Sequence, residues 1–189
     1  MPLAGIAWQA TQYLSALRRL GHDVWYIEDN GVNPYSPKEN QLVWDSTYNI
    51  GYVRSMMERL GLGDRWAYWD PVKDGAWEGI DRDKLMRLYG EADALINLCG
   101  STKLREEHMK CPVRILIDTD PGYEQIKIAQ NDAYSTEFVD AHTHLRQHGF
   151  HALHGEGHRS VVARALQTDH QTITNELVGA LRGHTGDVL

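Results

Sequence analysis

The chain has 189 residues, 42% hydrophobic and 24% charged, which suits a folded domain with its own core and excludes wholesale disorder. The formal net charge of −7 argues against nucleic acid or anionic membrane as the main partner. No apolar run approaches the roughly 18–20 residues that span a bilayer.

The opening segment Met1–Leu14 has no basic leader and no uninterrupted apolar stretch, so no secretory signal is expected. Tyr13, Leu14, Leu17 and Leu20 then recur at helical spacing, with Arg18 and Arg19 on the opposite side. Gly21 stops this helix, and Val24–Ile27 follows as a buried strand. An α/β sheet normally opens with a strand before its first helix. Here that strand is expected either to be missing or to be supplied by Leu3–Ala7.

The segment Val32–Asn40, with two prolines, reads as loop. Ile50, Val53, Met57 and Leu60 mark a second helix ended by Gly61 or Gly63. Trp66–Asp70 is a short strand limited by Pro71, and its polar-flanked setting predicts partial exposure of Trp66, Tyr68, Trp69 and Trp77. Leu85, Leu88, Tyr89 and Ala92 give a third helix. The clearest strands are Ala94–Leu98, running into Cys99-Gly100-Ser101, and Val113–Ile117, running into Asp118-Thr119-Asp120-Pro121-Gly122. A helix from about Thr102 to Met109 is expected between them, and another from Asp120 to about Gln130.

Composition shifts near residue 141. Residues 1–140 hold 15 Lys and Arg against 22 Asp and Glu; residues 141–189 hold four of each, with eight of the ten histidines. His142–His158 reads as irregular, and Ser160–Leu181 as one helix. The alternation of helices with apolar strands predicts an α/β fold: a Rossmann-like, three-layer parallel sheet with helices on both faces over residues 1–145. Residues 146–189 are expected to be a His-rich tail, poorly ordered or helical.

Ligands of open parallel sheets bind beyond the carboxyl ends of the strands. Gly100 permits close backbone approach, and Ser101 and Thr102 offer hydroxyls and amides at a helix N-terminus, a setting for an anion. Ser101 serves equally well as a plain helix cap. Asp118 is the candidate catalytic or ligand-binding carboxylate, or else a turn-fastening one; Asp120 is a helix cap that also lies at the candidate ligand edge. Glu28 stands where a dinucleotide fold places its ribose carboxylate, yet without G-x-G-x-x-G no nicotinamide or flavin cofactor is expected.

Asp140-x-His142-x-His144 matches a D-x-H-x-H metal pattern, since two imidazoles two apart on a strand point the same way. A barrel hydrolase of that type needs about 250 residues, whereas 45 follow His144. Surface histidines with incidental metal affinity carry more weight. Cys99 and Cys111 lack the spacing of a disulfide or zinc framework, so a reduced, cytoplasmic chain is expected, with Cys99 a buried free thiol.

The run from Pro2 to Gln9, then Gln12-Tyr13-Leu14, then Leu17-Arg18-Arg19-Leu20-Gly21-His22-Asp23-Val24 through Glu28-Asp29, resembles the opening of bacterial glycosyltransferase-like proteins related to the two-Rossmann-domain glycosyltransferases. Leu98-Cys99-Gly100 and the segment Ile117–Gln125 are similar to later strand ends of the same group, and the likeness covers about residues 2–145. It implies the sugar- or acceptor-binding half of a nucleotide-sugar-dependent enzyme, with a second domain or chain completing the site. It further implies that the chain alone does not turn over donor. The alternatives are a metal-dependent hydrolase built on Asp140, His142 and His144, and a non-catalytic binding module.

Overall fold

Small and apolar residues at helical spacing build α1 (Ala4–Arg19), which buries Ala7, Ala10 and Leu14. The computed structural model describes residues 4–119, 126–130 and 132–147, in a chain that divides into two units, Met1–Arg87 and Leu88–Leu189. Residues 4–7 are helical, so the strand expected over Leu3–Ala7 is not formed there. Gly21 ends the helical segment at φ +90°, a conformation an L side chain rarely adopts.

In the N-terminal unit, β1 (Tyr26–Glu28) starts two residues later than the apolar run predicted, with Val24 buried just before it. The expected loop carries a small antiparallel ribbon, β2 (Tyr35–Ser36) and β3 (Gln41–Leu42). Helix α2 (Thr47–Arg59) buries Asn49, Ile50, Val53 and Met57, and Gly61 at φ +66° follows its end. Strand β4 (Trp66–Asp70) lies between β1, parallel to it, and β5 (Ala76–Gly79), antiparallel to it. Pro71 costs this ladder nothing, because it opens the 3₁₀ turn Pro71–Lys73 beyond the strand. Leu14, Val24, Ile50, Val53, Met57, Leu62, Trp66 and Tyr68 form the unit's core. Complete burial of a side chain such as Met57 contributes about 1.5–3 kcal/mol.

Helix α3 (Arg82–Glu91) follows Asp81, whose carboxylate accepts from the Lys84 amide at 2.9 Å. In the C-terminal unit, β6 (Ala94–Leu98), β7 (Val113–Asp118) and β8 (His144–Gln147) form a parallel sheet in that order. Helix α4 (Ala133–Asp140) precedes β8 and is capped by Asp132, which accepts from the Ser135 amide at 2.9 Å.

The chain is therefore mixed α/β with small, mostly parallel sheets. Three expectations need correction. The runs 24–27, 94–98 and 113–117 do not share one sheet: β1 pairs with β4, which supplies the neighbour that a single sheet would have drawn from β6. No α-helix spans 102–109; only a 3₁₀ turn forms, at His108–Lys110. Part of the segment read as irregular, His144–Gln147, is a strand. The helix expected over 160–181 lies outside the described residues, as does the rest of the tail beyond 147.

Candidate functional site

Parallel pairing of β6 with β7, Leu98 opposite Ile117, brings two predicted strand ends to one edge of the C-terminal sheet. Cys99 continues the ladder by donating its amide to the Ile117 carbonyl at 2.7 Å. Its backbone is left-handed, φ +55°, and its Sγ lies 3.1 Å from the Thr119 hydroxyl. Contrary to expectation Cys99 is exposed; Cys111 is the buried thiol, its pKa pushed up chiefly by that burial. Asp118 ends β7 half-buried at the same edge. Asp120 lies outside the described residues.

Gly100 has a structural task that its sequence context did not suggest. It sits at φ +60°, and a Cβ there would lie 2.9 Å from Cζ of Phe138 on α4 and 3.6 Å from Cδ1 of Leu116 on β7. The close approach is to the chain's own ring. Ser101 and Thr102 head no helix, so the anion setting predicted from a helix N-terminus does not form. The Ser101 amide donates to the Leu98 carbonyl at 3.3 Å, and the Thr102 amide to Asn97 Oδ1 at 3.2 Å. A side chain serves as partner for the Thr102 amide, and a backbone carbonyl for that of Ser101.

That side chain organises the edge. Asn97, buried on β6, also donates Nδ2 to the Thr102 carbonyl at 2.7 Å and to His142 Nε2 at 3.1 Å. His142 in turn donates Nδ1 to the Phe138 carbonyl at 2.9 Å, which assigns the neutral tautomer. Burial holds its pKa below the ordinary 6.5; the Arg114 charge acts in the same direction and the Phe138 bond opposes it. His142 lies between α4 and β8, so it and His144 are not alternate positions of one strand, and Asp140 ends α4. The shared strand from which the Asp140-x-His142-x-His144 chelate was read does not include His142, and the His144 side chain lies outside the described residues. Among the described residues no three His, Cys, Asp or Glu side chains gather to hold a metal.

A second edge belongs to the N-terminal unit, at the carboxyl ends of β1 and β4. Glu28 ends β1 and accepts from the Tyr26 hydroxyl at 2.9 Å. Burial first, then the Glu28 charge, push the Tyr26 hydroxyl well above its ordinary pKa. Asp70 ends β4 fully buried. Its Oδ2 accepts from the Ser46 hydroxyl at 2.5 Å and its Oδ1 from the Val72 amide at 3.0 Å. The Lys73 ammonium lies 3.7 Å from Asp70 and 3.2 Å from Glu78, and the Glu78 contact chiefly raises the Lys73 pKa. Tyr68 is shifted upward by burial, helped by Glu28 and Asp70. Asn49, in the first turn of α2, is buried with neither carboxamide atom hydrogen-bonded.

Sequence reasoning missed Ser46, Asn49 and Asp70. The available signals were Asp70 directly before Pro71, a capping pattern, and Asn49 lying in phase with the apolar Ile50 and Val53. The aromatic expectation also changes. Trp66 and Tyr68 are buried because β4 is the central strand, Trp69 and Trp77 are half-buried, and the exposed tryptophans are Trp8 and Trp44. A cavity of about 330 Å³ between the C-terminal ends of α1 and α2, lined by Leu14, Arg18 and Leu62 among others, is spanned by Arg18 donating to the Leu60 carbonyl. No helix among the described residues is long and apolar enough to cross a membrane. No family model, curated protein or solved structure matches the chain.

Proposed function

We propose that the chain is a glycosyltransferase-like domain of Rossmann type, the sugar- or acceptor-binding half of a nucleotide-sugar-dependent enzyme. The observation that carries this reading is the half-buried Asp118 at the carboxyl end of β7, beside the Cys99–Thr102 loop that follows β6. A carboxylate at such an edge accepts from sugar hydroxyls, and crevices there are where parallel α/β sheets take their ligands. Gly100, Ser101 and Thr102 shape the loop, Asp118 is the residue assigned to the reacting or bound sugar, and Glu28 and Asp120 keep ligand-binding assignments. The family resemblance supplies the substrate class. Donor binding in such enzymes falls mainly to a second domain, so the chain alone does not transfer sugar.

Calorimetric titration of the full chain with uridine diphosphate glucose and with glucose tests this. Saturable binding of either, weakened about tenfold or more by Asp118→Asn in a variant that keeps a cooperative melt, is the expected result. Absence of binding, or binding indifferent to Asp118, contradicts it.

A further inference from the structure

Asn49 is 2% exposed, and neither its Nδ2 nor its Oδ1 has a hydrogen-bond partner. Buried carboxamides are almost always paired, so an orphan of this kind requires an explanation. Its position supplies one. The buried face of α2 carries Asn49, Ile50, Val53 and Met57, and the last three pack with Trp66 and Tyr68 of β4. Three residues before Asn49, and so on the same side of the helix, Ser46 reaches Asp70 at the carboxyl end of β4. Asn49 thus lies one helical turn from the Ser46–Asp70 contact at the carboxyl edge of the parallel pair β1 and β4, where such sheets receive ligands.

We infer that this edge of the N-terminal unit is a second binding site, for a neutral, hydroxyl-rich ligand of the sugar class, with Asn49 as its recognition group. A carboxamide offers two donors and an acceptor, which neighbouring hydroxyls of a sugar satisfy together. An anion is disfavoured, because Glu28 and Asp70 end the two strands and the Lys73 ammonium already faces Asp70 and Glu78. Trp44, 79% exposed, and Tyr48, 49% exposed, flank Ser46 in sequence and present flat rings suited to the apolar face of a sugar. The ligand class rests on the sugar-binding reading above; the site does not.

The test uses the full chain, Asn49→Leu and Asp118→Asn, with methyl glucoside as probe. Leucine removes the orphan amide on the same branched skeleton, so Asn49→Leu raises the melting temperature by about 2–6 °C while weakening glucoside binding about tenfold. The Trp44 indole N–H resonance shifts on titration of wild type and of Asp118→Asn, and does not shift in Asn49→Leu. A melting temperature unchanged or lowered by Asn49→Leu overturns the proposal, since the carboxamide would then have a structural partner. Undiminished glucoside binding by Asn49→Leu overturns it as well, and leaves the Asp118 reading standing if Asp118→Asn alone abolishes binding.

Discussion

Gly100 combines a left-handed backbone with a space its own fold has filled. A methyl group there meets Phe138 at 2.9 Å, and φ +60° adds a conformational penalty. Gly100→Ala is therefore expected to cost about 1–3 kcal/mol in urea denaturation, from strain and displacement of the Phe138 ring. A variant as stable as wild type would show that the ring is free to move aside. From the sequence, Gly100 read as a residue making room for a ligand, because a glycine after a strand has the same signature whichever neighbour comes close. Phe138 lies 38 residues downstream in a helix that periodicity did not reveal. The strand-end position of Asp118 was legible for the opposite reason: a carboxylate closing a mainly apolar run needs only local pattern. Asn49 was not legible as an orphan, because whether a buried amide finds a partner depends on tertiary neighbours.

At the scale of elements, Asn97 ties β6 to its following loop and, through His142, to the segment joining α4 and β8. The link needs a neutral imidazole, since Nε2 accepts from Asn97 while Nδ1 donates to Phe138. Protonation removes that acceptor. Turning the Asn97 amide to compensate would set donor against donor at the Thr102 amide. With the folded-state pKa below 6.5, the unfolded chain takes up the proton first as pH falls. The stability His142 contributes is thus complete above about pH 6.5 and is lost as pH drops from there towards the folded pKa, by at most about 1.4 kcal/mol per pH unit. The urea midpoint of wild type should fall more between about pH 7.5 and 5 than that of His142→Gln. Equal slopes would remove His142 as the cause. A helix over 102–109 was expected and is not formed. The Arg105 amide, which a helix would give to the Ser101 carbonyl, is instead donated to His108 Nδ1 at 2.9 Å, so a side chain takes the place of a ladder bond. Strands β6 and β7 were readable as mainly apolar runs, each broken by one polar residue, Asn97 and Arg114. Strand β5, ending in Gly79, and the polar His144–Gln147 carry no such signal.

The whole chain comprises two α/β units, each with a carboxyl edge: Glu28, Ser46, Asn49 and Asp70 in the first, the Cys99–Thr102 loop and Asp118 in the second. Alternating helices and strands were visible throughout, but their division between two sheets was not. It turns on β4 pairing with both β1 and β5: the strand Trp66–Asp70 was read with the bounds observed, but its partners carry no local signal. The central claim is that sugar recognition includes the edge of the C-terminal sheet. The most direct test is an amide ¹H–¹⁵N spectrum of the full chain titrated with glucose. The account predicts saturable shifts concentrated at Cys99, Gly100, Ser101, Thr102, Asp118 and Thr119, lost in Asp118→Asn. Shifts absent at saturating ligand, or confined to residues away from that edge, would contradict it.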